Sequence, residues 1–228
     1  MKDAITIIKQ LREFMLPERA DQIERVVQQR TRYLTVVLED LYQTHNASAV
    51  MRSCDCFGVQ DVHIIEHRHR FEYNQGIAMG AGKWLHTFNY TSGKKGITNA
   101  TKQCLETLKS KGYKIAATSP HIEGYTIATV PIDQPIALVF GTELEGISQD
   151  AIDQADYLVR IPMYGFTESF NISVAAAIAL YELTERIRSS SCSWSLSDQE
   201  LLDLHLEWVM KSVRDSDAIL KRLEEEGL

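Results

Sequence analysis

The stretch from Tyr157 to Leu183 constrains the fold more than any other part of the sequence. Its first residues, 157–161, form a short apolar run that predicts a β-strand, and Pro162 ends it because proline has no amide hydrogen for a strand ladder. From Asn171 onward, apolar residues cover most of a helical circumference, so we expect a largely buried helix. The loop at 162–170 can cap that helix and leave amide groups free for a ligand, although the same unit also occurs in a purely structural role.

Strands and helices alternate along most of the chain. Helical periodicity predicts helices at 46–57 and 97–108, with Asn46 capping the first and Gly58 ending it. This alternation is typical of a mainly parallel sheet covered by helices, with a ligand site at the carboxyl ends of the strands. The predicted strands are 34–38, 61–65, 84–90, 113–118, 134–140 and 157–161. The residues at such carboxyl ends include Thr118, Gly141 and Ile161.

Three short motifs follow one another in this framework. The first runs from His45 to Arg52 and contains Asn46, the second is Gly-Thr-Glu at 141–143 with Gly146, and the third joins Ile161-Pro-Met to Ser169-Phe-Asn171. In this order and spacing they resemble the motifs of the SPOUT methyltransferases, specifically the SpoU or TrmH family of RNA 2′-O-ribose methyltransferases. The resemblance extends over about residues 19–188.

The resemblance implies an α/β fold in which a mainly parallel sheet flanked by helices carries a deep C-terminal trefoil knot, across about residues 137–179. Knots are rare exceptions among protein folds. Residues 34–188 would form the SPOUT methyltransferase domain, residues 1–33 an N-terminal helical RNA-binding extension, and residues 189–228 a linker and a C-terminal helical extension. The family works as a homodimer with the knot helices in the interface, although the apolar helix after Asn171 could instead fill the core of a monomer.

The resemblance also implies S-adenosyl-L-methionine as cofactor and assigns site residues. Backbone groups would hold the cofactor around Thr118, Phe140, Gly141, Ile161 and Phe170. The candidate catalytic residues are Arg52, Asn46, Glu143, Ser169 and Asn171. No metal is needed for this methyl transfer.

Two roles remain open for Arg52. It is the proposed base of the family, but a guanidinium has a pKa of about 12 or more and stays protonated, so anchoring a phosphate and stabilising the developing alkoxide is physically easier. Asn46, Ser169 and Asn171 could act in the site or only cap the helices that they precede. Glu143 is expected to act as a structural clamp that binds Asn171 or backbone amides.

An RNA partner requires a local cationic surface. The net charge is −7, but the segment from Leu196 to the end carries −5 of it, which leaves −2 for the rest. Arginines before the first strand are expected to face outward, and the resemblance implies that they bind tRNA, the alternative being an ordinary solvated face. They are Arg19, Arg25, Arg30 and Arg32. The loop at 67–72 also suits phosphate contact and base stacking, or is a mobile surface loop.

Length and composition limit the classes of protein to which this chain can belong. The length of 228 residues fits one sizeable domain with short extensions, and neither a membrane-spanning run nor a signal peptide is expected, so we expect a cytoplasmic protein. The four cysteines do not have the spacing of a zinc site. A generic nucleotide-binding protein is disfavoured because neither a P-loop nor a G-x-G-x-x-G occurs in the right context.

These observations favour methyl transfer from S-adenosylmethionine to a ribose 2′-hydroxyl of RNA. Because only residues 1–33 precede the first strand, the chain looks most like the enzymes that methylate guanosine 18 in the D-loop of tRNA. One alternative is a ribosomal-RNA methyltransferase of the same fold. The other is a knotted RNA-binding protein without catalytic turnover.

Overall fold

The computed structural model describes residues 4–93, 99–121, 123–142 and 145–225. The chain divides into two compact units. The larger comprises residues 31–194, and the smaller joins residues 1–30 with residues 195–228.

The helices and strands are numbered in chain order. The helices are α1 (Ala4–Arg12), α2 (Pro17–Val27), α3 (Thr44–Cys56), α4 (Gln75–Ala78), α5 (Ala100–Ser110), α6 (Gln149–Gln154), α7 (Ile172–Arg188), α8 (Asp198–Ser212) and α9 (Ser216–Glu225). The strands are β1 (Leu34–Glu39), β2 (Asp61–Glu66), β3 (His86–Thr91), β4 (Lys114–Thr118), β5 (Tyr125–Thr126), β6 (Ile136–Phe140) and β7 (Tyr157–Arg160). A short 3-10 turn lies at Ala81–Lys83.

The larger unit is built on one seven-stranded sheet with the order β3-β2-β1-β6-β4-β7-β5. Each neighbouring pair of these strands is parallel, which confirms the predicted parallel α/β architecture. The six predicted strands are all present. The two-residue β5 and the short helices α4 and α6 were not expected, since segments this short carry too little periodic pattern. The predicted start of α5, at Ile97, lies outside the described residues.

Helices cover both faces of the sheet. In β6, Leu138 faces the cluster packed by α3 and α7, whereas its neighbour Val139 faces the cluster packed by α5. Successive residues of β1, such as Val36 and Val37, divide between the two clusters in the same way. Burial on both faces explains why the central strands are continuous apolar runs rather than alternating ones.

Helix α3 ends as the sequence predicts but begins earlier. Gly58 has a left-handed φ of 78°, and the amide of Val59 donates to the carbonyl of Cys54 at 2.9 Å, as in a glycine-terminated helix. The cap position at the other end is Gln43, so Asn46 lies inside the first turn. The expectation that Asn46 caps the helix is therefore wrong.

The smaller unit contains α1, α2, α8 and α9. Helix α8 contacts α1 and α2, and a capping box between Ser197 and Glu200 fixes its start. Arg30 is only 1% exposed, and its guanidinium carbon lies 4.9 Å from the centre of the Trp208 ring. The expectation that Arg30 faces outward is therefore wrong. Within the described part of the chain, we find no helix with the length and apolar character of a membrane span.

Candidate active site

Two adjoining cavities open at the carboxyl ends of β4, β6 and β7. The smaller has a volume of about 90 Å³ and the larger about 300 Å³. Both are lined by Thr118 at the end of β4, Phe140 at the end of β6, and Ser169 and Phe170 in the loop before α7. Because these strands are parallel, the loops that follow them meet at one edge of the sheet and enclose the space.

All five residues assigned to cofactor binding line these cavities. Thr118, Phe140 and Phe170 face both, Ile161 faces the smaller, and Gly141 faces the larger. The walls of the smaller cavity are mainly apolar, whereas the larger cavity is also lined by polar side chains, among them Thr142 and Glu145. The Thr118 hydroxyl is already engaged, because it donates to the carbonyl of Val139 at 2.8 Å.

The turn after β6 brings two backbone segments unusually close. The amide of Thr142 donates to the carbonyl of Gly146 at 2.9 Å, and the amide of Gly146 returns a bond to the carbonyl of Thr142 at 3.0 Å. A β-carbon on Gly141 would lie 2.1 Å from the Gly146 oxygen, so only glycine fits there. Glu143 lies outside the described residues.

Polar side chains join the first turns of α3 and α7. The Nδ2 atom of Asn171 donates to Oδ1 of Asn46 at 3.1 Å, and Nδ2 of Asn46 donates to Oε1 of Gln43 at 3.1 Å. Asn171 also caps α7, since its Oδ1 accepts from the amide of Ser173 at 2.9 Å and from the Ser173 hydroxyl at 2.6 Å. Asn171 is thus both a helix cap and a bridge to the first motif, although 125 residues separate it from Asn46.

Arg52 is not part of this polar group. It is exposed on α3 and does not line either cavity, and it makes no hydrogen bond or ion pair with any residue that the structure describes. The structure therefore brings Asn46 and Asn171 together and sets Ser169 at the cavities. It leaves the guanidinium of Arg52 open to a ligand.

The loop after β2 is firmly held rather than loose. The buried carboxyl of Asp40 accepts from the backbone amides of His67, Arg68 and His69 at 2.8 to 3.0 Å. Burial alone would raise the pKa of Asp40, but these bonds and the charge of His69 lower it below its usual value. Asp40 adopts a left-handed φ of 52°, which aspartate tolerates better than most residues.

Both arginines of this loop already have acidic partners. Arg68 forms a two-pronged ion pair with Glu145, and its Nε lies 3.5 Å from a second acceptor, the Asp40 carboxylate. Arg70 pairs with Glu66 at 3.2 Å. The loop thus offers fewer available cations than its sequence suggests. Glu145 also lines the larger cavity, a contact that no sequence motif indicates.

Comparisons with known proteins agree with the motifs. A sequence profile described as the SpoU rRNA Methylase family matches residues 33–181. The tRNA (guanosine(18)-2′-O)-methyltransferase of Borreliella burgdorferi is 38% identical over 213 residues, which cover 93% of this chain and 94% of that protein. The protein of the same name from Aquifex aeolicus is 31% identical and covers 87% of this chain and 92% of its own length.

A solved structure agrees as well. The A. aeolicus TrmH/SpoU tRNA modifying enzyme superposes with a TM-score of 0.75 at 29% identity, over 87% of this chain and 98% of that chain. The family profile spans more than half of the sequence, and the first of these relatives aligns with nearly all of it. The chain therefore belongs to the SpoU rRNA Methylase family, as its three motifs predicted.

Proposed function

We propose that this protein methylates the ribose 2′-hydroxyl of guanosine 18 in tRNA, with S-adenosylmethionine as methyl donor. The observation that carries the proposal is the Asn46–Asn171 hydrogen bond at the carboxyl edge of a parallel sheet, beside cavities lined by Ser169 and Phe170. The names of the B. burgdorferi and A. aeolicus relatives support the choice of substrate, since their alignments cover most of both chains.

The cavities fit this cofactor. Phe140, Ile161 and Phe170 supply flat apolar surface for an adenine ring, and Gly141 lets backbone amides and carbonyls approach its polar edge. S-adenosylmethionine, when bound, supplies an electrophilic methyl group on a sulfonium sulfur. No charged side chain is needed to hold the adenine, which agrees with the mainly apolar walls of the smaller cavity.

Asn46, Asn171 and Ser169 are proposed to orient the target ribose. A methyl transfer requires the nucleophilic oxygen to lie in line with the bond that breaks, so fixed hydrogen-bonding groups beside the cavity contribute by positioning. The mutual bond of the two asparagines and the Gln43 contact hold these groups in one rotamer. Glu143 is proposed to act as a structural clamp that binds Asn171 or backbone amides.

Arg52 is proposed to bind the phosphate of the target nucleotide and to stabilise the developing alkoxide. Its guanidinium is exposed and, among the described residues, has no carboxylate to compete with a phosphate. A bidentate guanidinium matches phosphate geometry, and its permanent charge is suited to an anion rather than to accepting a proton.

Two further features, a knotted chain and a homodimer, are proposed because they are expected of the family. The trefoil knot across residues 137–179 is proposed from the family, and it is compatible with the sheet order, in which the connection from β6 to β7 passes β4. A homodimer is supported by Val174, Ile178 and Tyr181, which leave an exposed apolar stripe on α7. Ile178→Glu is expected to convert a dimer into a monomer in sedimentation experiments.

The RNA surface is proposed to include Arg19, Arg25 and Arg32. Arg25 is exposed on α2, whereas Arg19 bonds Gln22 at 3.0 Å and Arg32 pairs with Asp61 at 3.1 Å. Replacing Arg19 and Arg25 with glutamine should weaken tRNA binding and flatten its salt dependence, by about one unit of slope for each lost phosphate contact.

The decisive experiment supplies radiolabelled S-adenosylmethionine and unmodified tRNA transcripts, then maps the methylated position. A single methylated guanosine 18, and none in a transcript with 2′-deoxyguanosine at that position, would support the proposal. Ribosomal RNA belongs in the same assay because the family profile is described by that substrate. Transfer to ribosomal RNA alone would identify ribosomal RNA, rather than tRNA, as the substrate. Cofactor binding without any methyl transfer would favour the non-catalytic RNA-binding alternative.

A further inference from the structure

Arg186, on the last turns of α7, contacts a distant segment that no sequence motif connects to it. Its Nη1 donates to the carbonyl of Ile127 and its Nη2 to the carbonyl of Val130, both at 2.7 Å. Both carbonyls belong to the connection between β4 and β6, 59 and 56 residues away in sequence. We name the described residues 119–121 and 123–130 of that connection the cavity segment.

The cavity segment is also held from its other side. The amide of Ile127 donates to the carbonyl of Arg160 at 3.0 Å, and Thr126 pairs with Arg160 in the β5–β7 register. The side chain of Ile127 is 5% exposed and that of Val130 is fully buried. The segment is therefore fixed between β7 and α7, with Arg186 forming the polar contact to the helix.

This segment and α7 form facing walls of the smaller cavity. Ser119, Pro120 and Ile127 line it from the segment, and Ala175 and Ala179 line it from the helix. Alanine side chains are too short to set the width of the space by themselves. The distance between the segment and the helix is instead limited by contacts that join them, which include the two charge-assisted hydrogen bonds of Arg186.

We propose that Arg186 is a positioning residue for the cofactor: it holds the cavity segment against α7 at the separation that S-adenosylmethionine requires. This inference rests on the function proposed above and adds a residue outside the three motifs. Arginine suits the task because one planar guanidinium can serve two carbonyls at once, whereas lysine presents a single ammonium. Without it, two backbone carbonyls lose their charged donors and the segment can move away from the helix.

The test compares Arg186→Met with Arg188→Met. Arg188 is the control because it lies two residues further along α7, on a different face of the helix, and its guanidinium carbon lies 4.2 Å from the centre of the Trp194 ring. Binding of S-adenosylhomocysteine is measured by calorimetry, and the free energy of unfolding by urea titration. Arg186→Met should raise the Kd about tenfold, while Arg188→Met changes it less than about twofold.

A merely structural role for Arg186 predicts a different result. A destabilised protein that is still almost entirely folded binds its ligand with unchanged Kd, because calorimetry then reports the folded molecules. A lower free energy of unfolding with a Kd within twofold of the wild type would therefore overturn the inference. An equal rise in Kd for both variants would also overturn it.

Arg186→Lys keeps the positive charge, and it is the second test variant if Arg186→Met does not fold. It should raise the KM for S-adenosylmethionine several-fold while kcat changes less than twofold, and an unchanged KM would count against the inference. If the wild-type protein itself binds no S-adenosylhomocysteine, the proposed function fails and the inference falls with it. Binding by the wild type with no response to either Arg186 variant would refute the inference alone.

Discussion

Two neighbouring parts of one sheet edge are built in opposite ways. The first, which we call the cavity edge, consists of the loops after β4, β6 and β7, and it encloses cavities whose walls combine apolar side chains and backbone with a few polar side chains such as Ser169 and Glu145. The second, the ion-paired edge, consists of Asp40 after β1 and residues 66–71 after β2. There, carboxylates accept backbone amides and pair with Arg68 and Arg70.

The difference separates charged side chains that stabilise the fold from side chains that are available to bind a ligand. At the ion-paired edge, the charges satisfy one another and fix a loop. Arg52, by contrast, has no partner among the described residues, and the cavity edge encloses space for a ligand. Two exposed arginines, Arg52 and Arg70, should therefore respond differently to substitution.

The largest effect is expected from Arg52→Ala. Loss of a charge that stabilises a developing anion typically costs on the order of 10²–10³ in rate, so kcat/KM for tRNA should fall by about that factor. The Kd for S-adenosylhomocysteine and the free energy of unfolding should stay unchanged, because Arg52 makes no ion pair with the described residues. Arg70→Gln is the control, with a loss below about threefold; full activity of Arg52→Ala would refute the assignment.

Gly141→Ala tests the space at the cavity edge. Its new methyl group would lie 2.1 Å from the Gly146 oxygen and 2.3 Å from the Ile147 nitrogen, so the turn must shift. Overpacking of this kind costs about 1–3 kcal/mol, and the Kd for S-adenosylhomocysteine should rise about tenfold or more. Gly165→Ala is the control, since nothing lies within 4 Å of its added methyl group. Equal behaviour of the two variants would contradict the predicted role of the turn.

Asn171→Ser separates capping from site geometry. Serine caps helices about as well as asparagine, but its side chain is too short to maintain the bond to Asn46. The free energy of unfolding should change by less than about 0.5 kcal/mol, while kcat/KM falls roughly 2- to 10-fold, the worth of one hydrogen bond. Wild-type activity in this variant would leave Asn171 as a helix cap only.

Asp40→Asn tests the ion-paired edge and has the smallest expected effect on activity. Asparagine keeps the acceptor oxygen and tolerates the left-handed backbone, so mainly the charge is lost. The free energy of unfolding at pH 7 should fall by about 1 kcal/mol. Methyl transfer should change less than about twofold.

The pH dependence gives the sign of the Asp40 effect. The pKa of Asp40 in the folded protein lies below its unfolded value of about 3.9, so its stabilising contribution is fully present above that value. The contribution is lost as the pH falls through the folded pKa. The difference between wild type and Asp40→Asn should therefore shrink below about pH 4 in urea titrations, and a pH-independent difference would contradict this account. Asp217→Asn, an exposed position on α9, is the control.

Several features follow from the sequence because they depend on local pattern. The six strands and the helix α7 are encoded in apolar runs and helical periodicity, although α7 is buried on one side only, and Gly58 ends α3 through its own backbone conformation. The motifs also indicate the residues of the cavity edge, since glycine and apolar side chains at strand ends are visible in the sequence. Family membership follows from the same residues.

Tertiary structure alone decides which polar side chains meet. Arg30 and Arg25 look alike in the sequence, yet Trp208, almost 180 residues away, accommodates one of them in the core of the smaller unit. Asn46 resembles a helix cap until the chain path brings Asn171 to it. The folded path also brings Asp40 to the loop after β2, and Arg186 to the cavity segment. The amino-acid sequence thus determines the local elements and the chemistry available at strand ends, whereas contacts between distant side chains depend on the folded path and have no periodic signature.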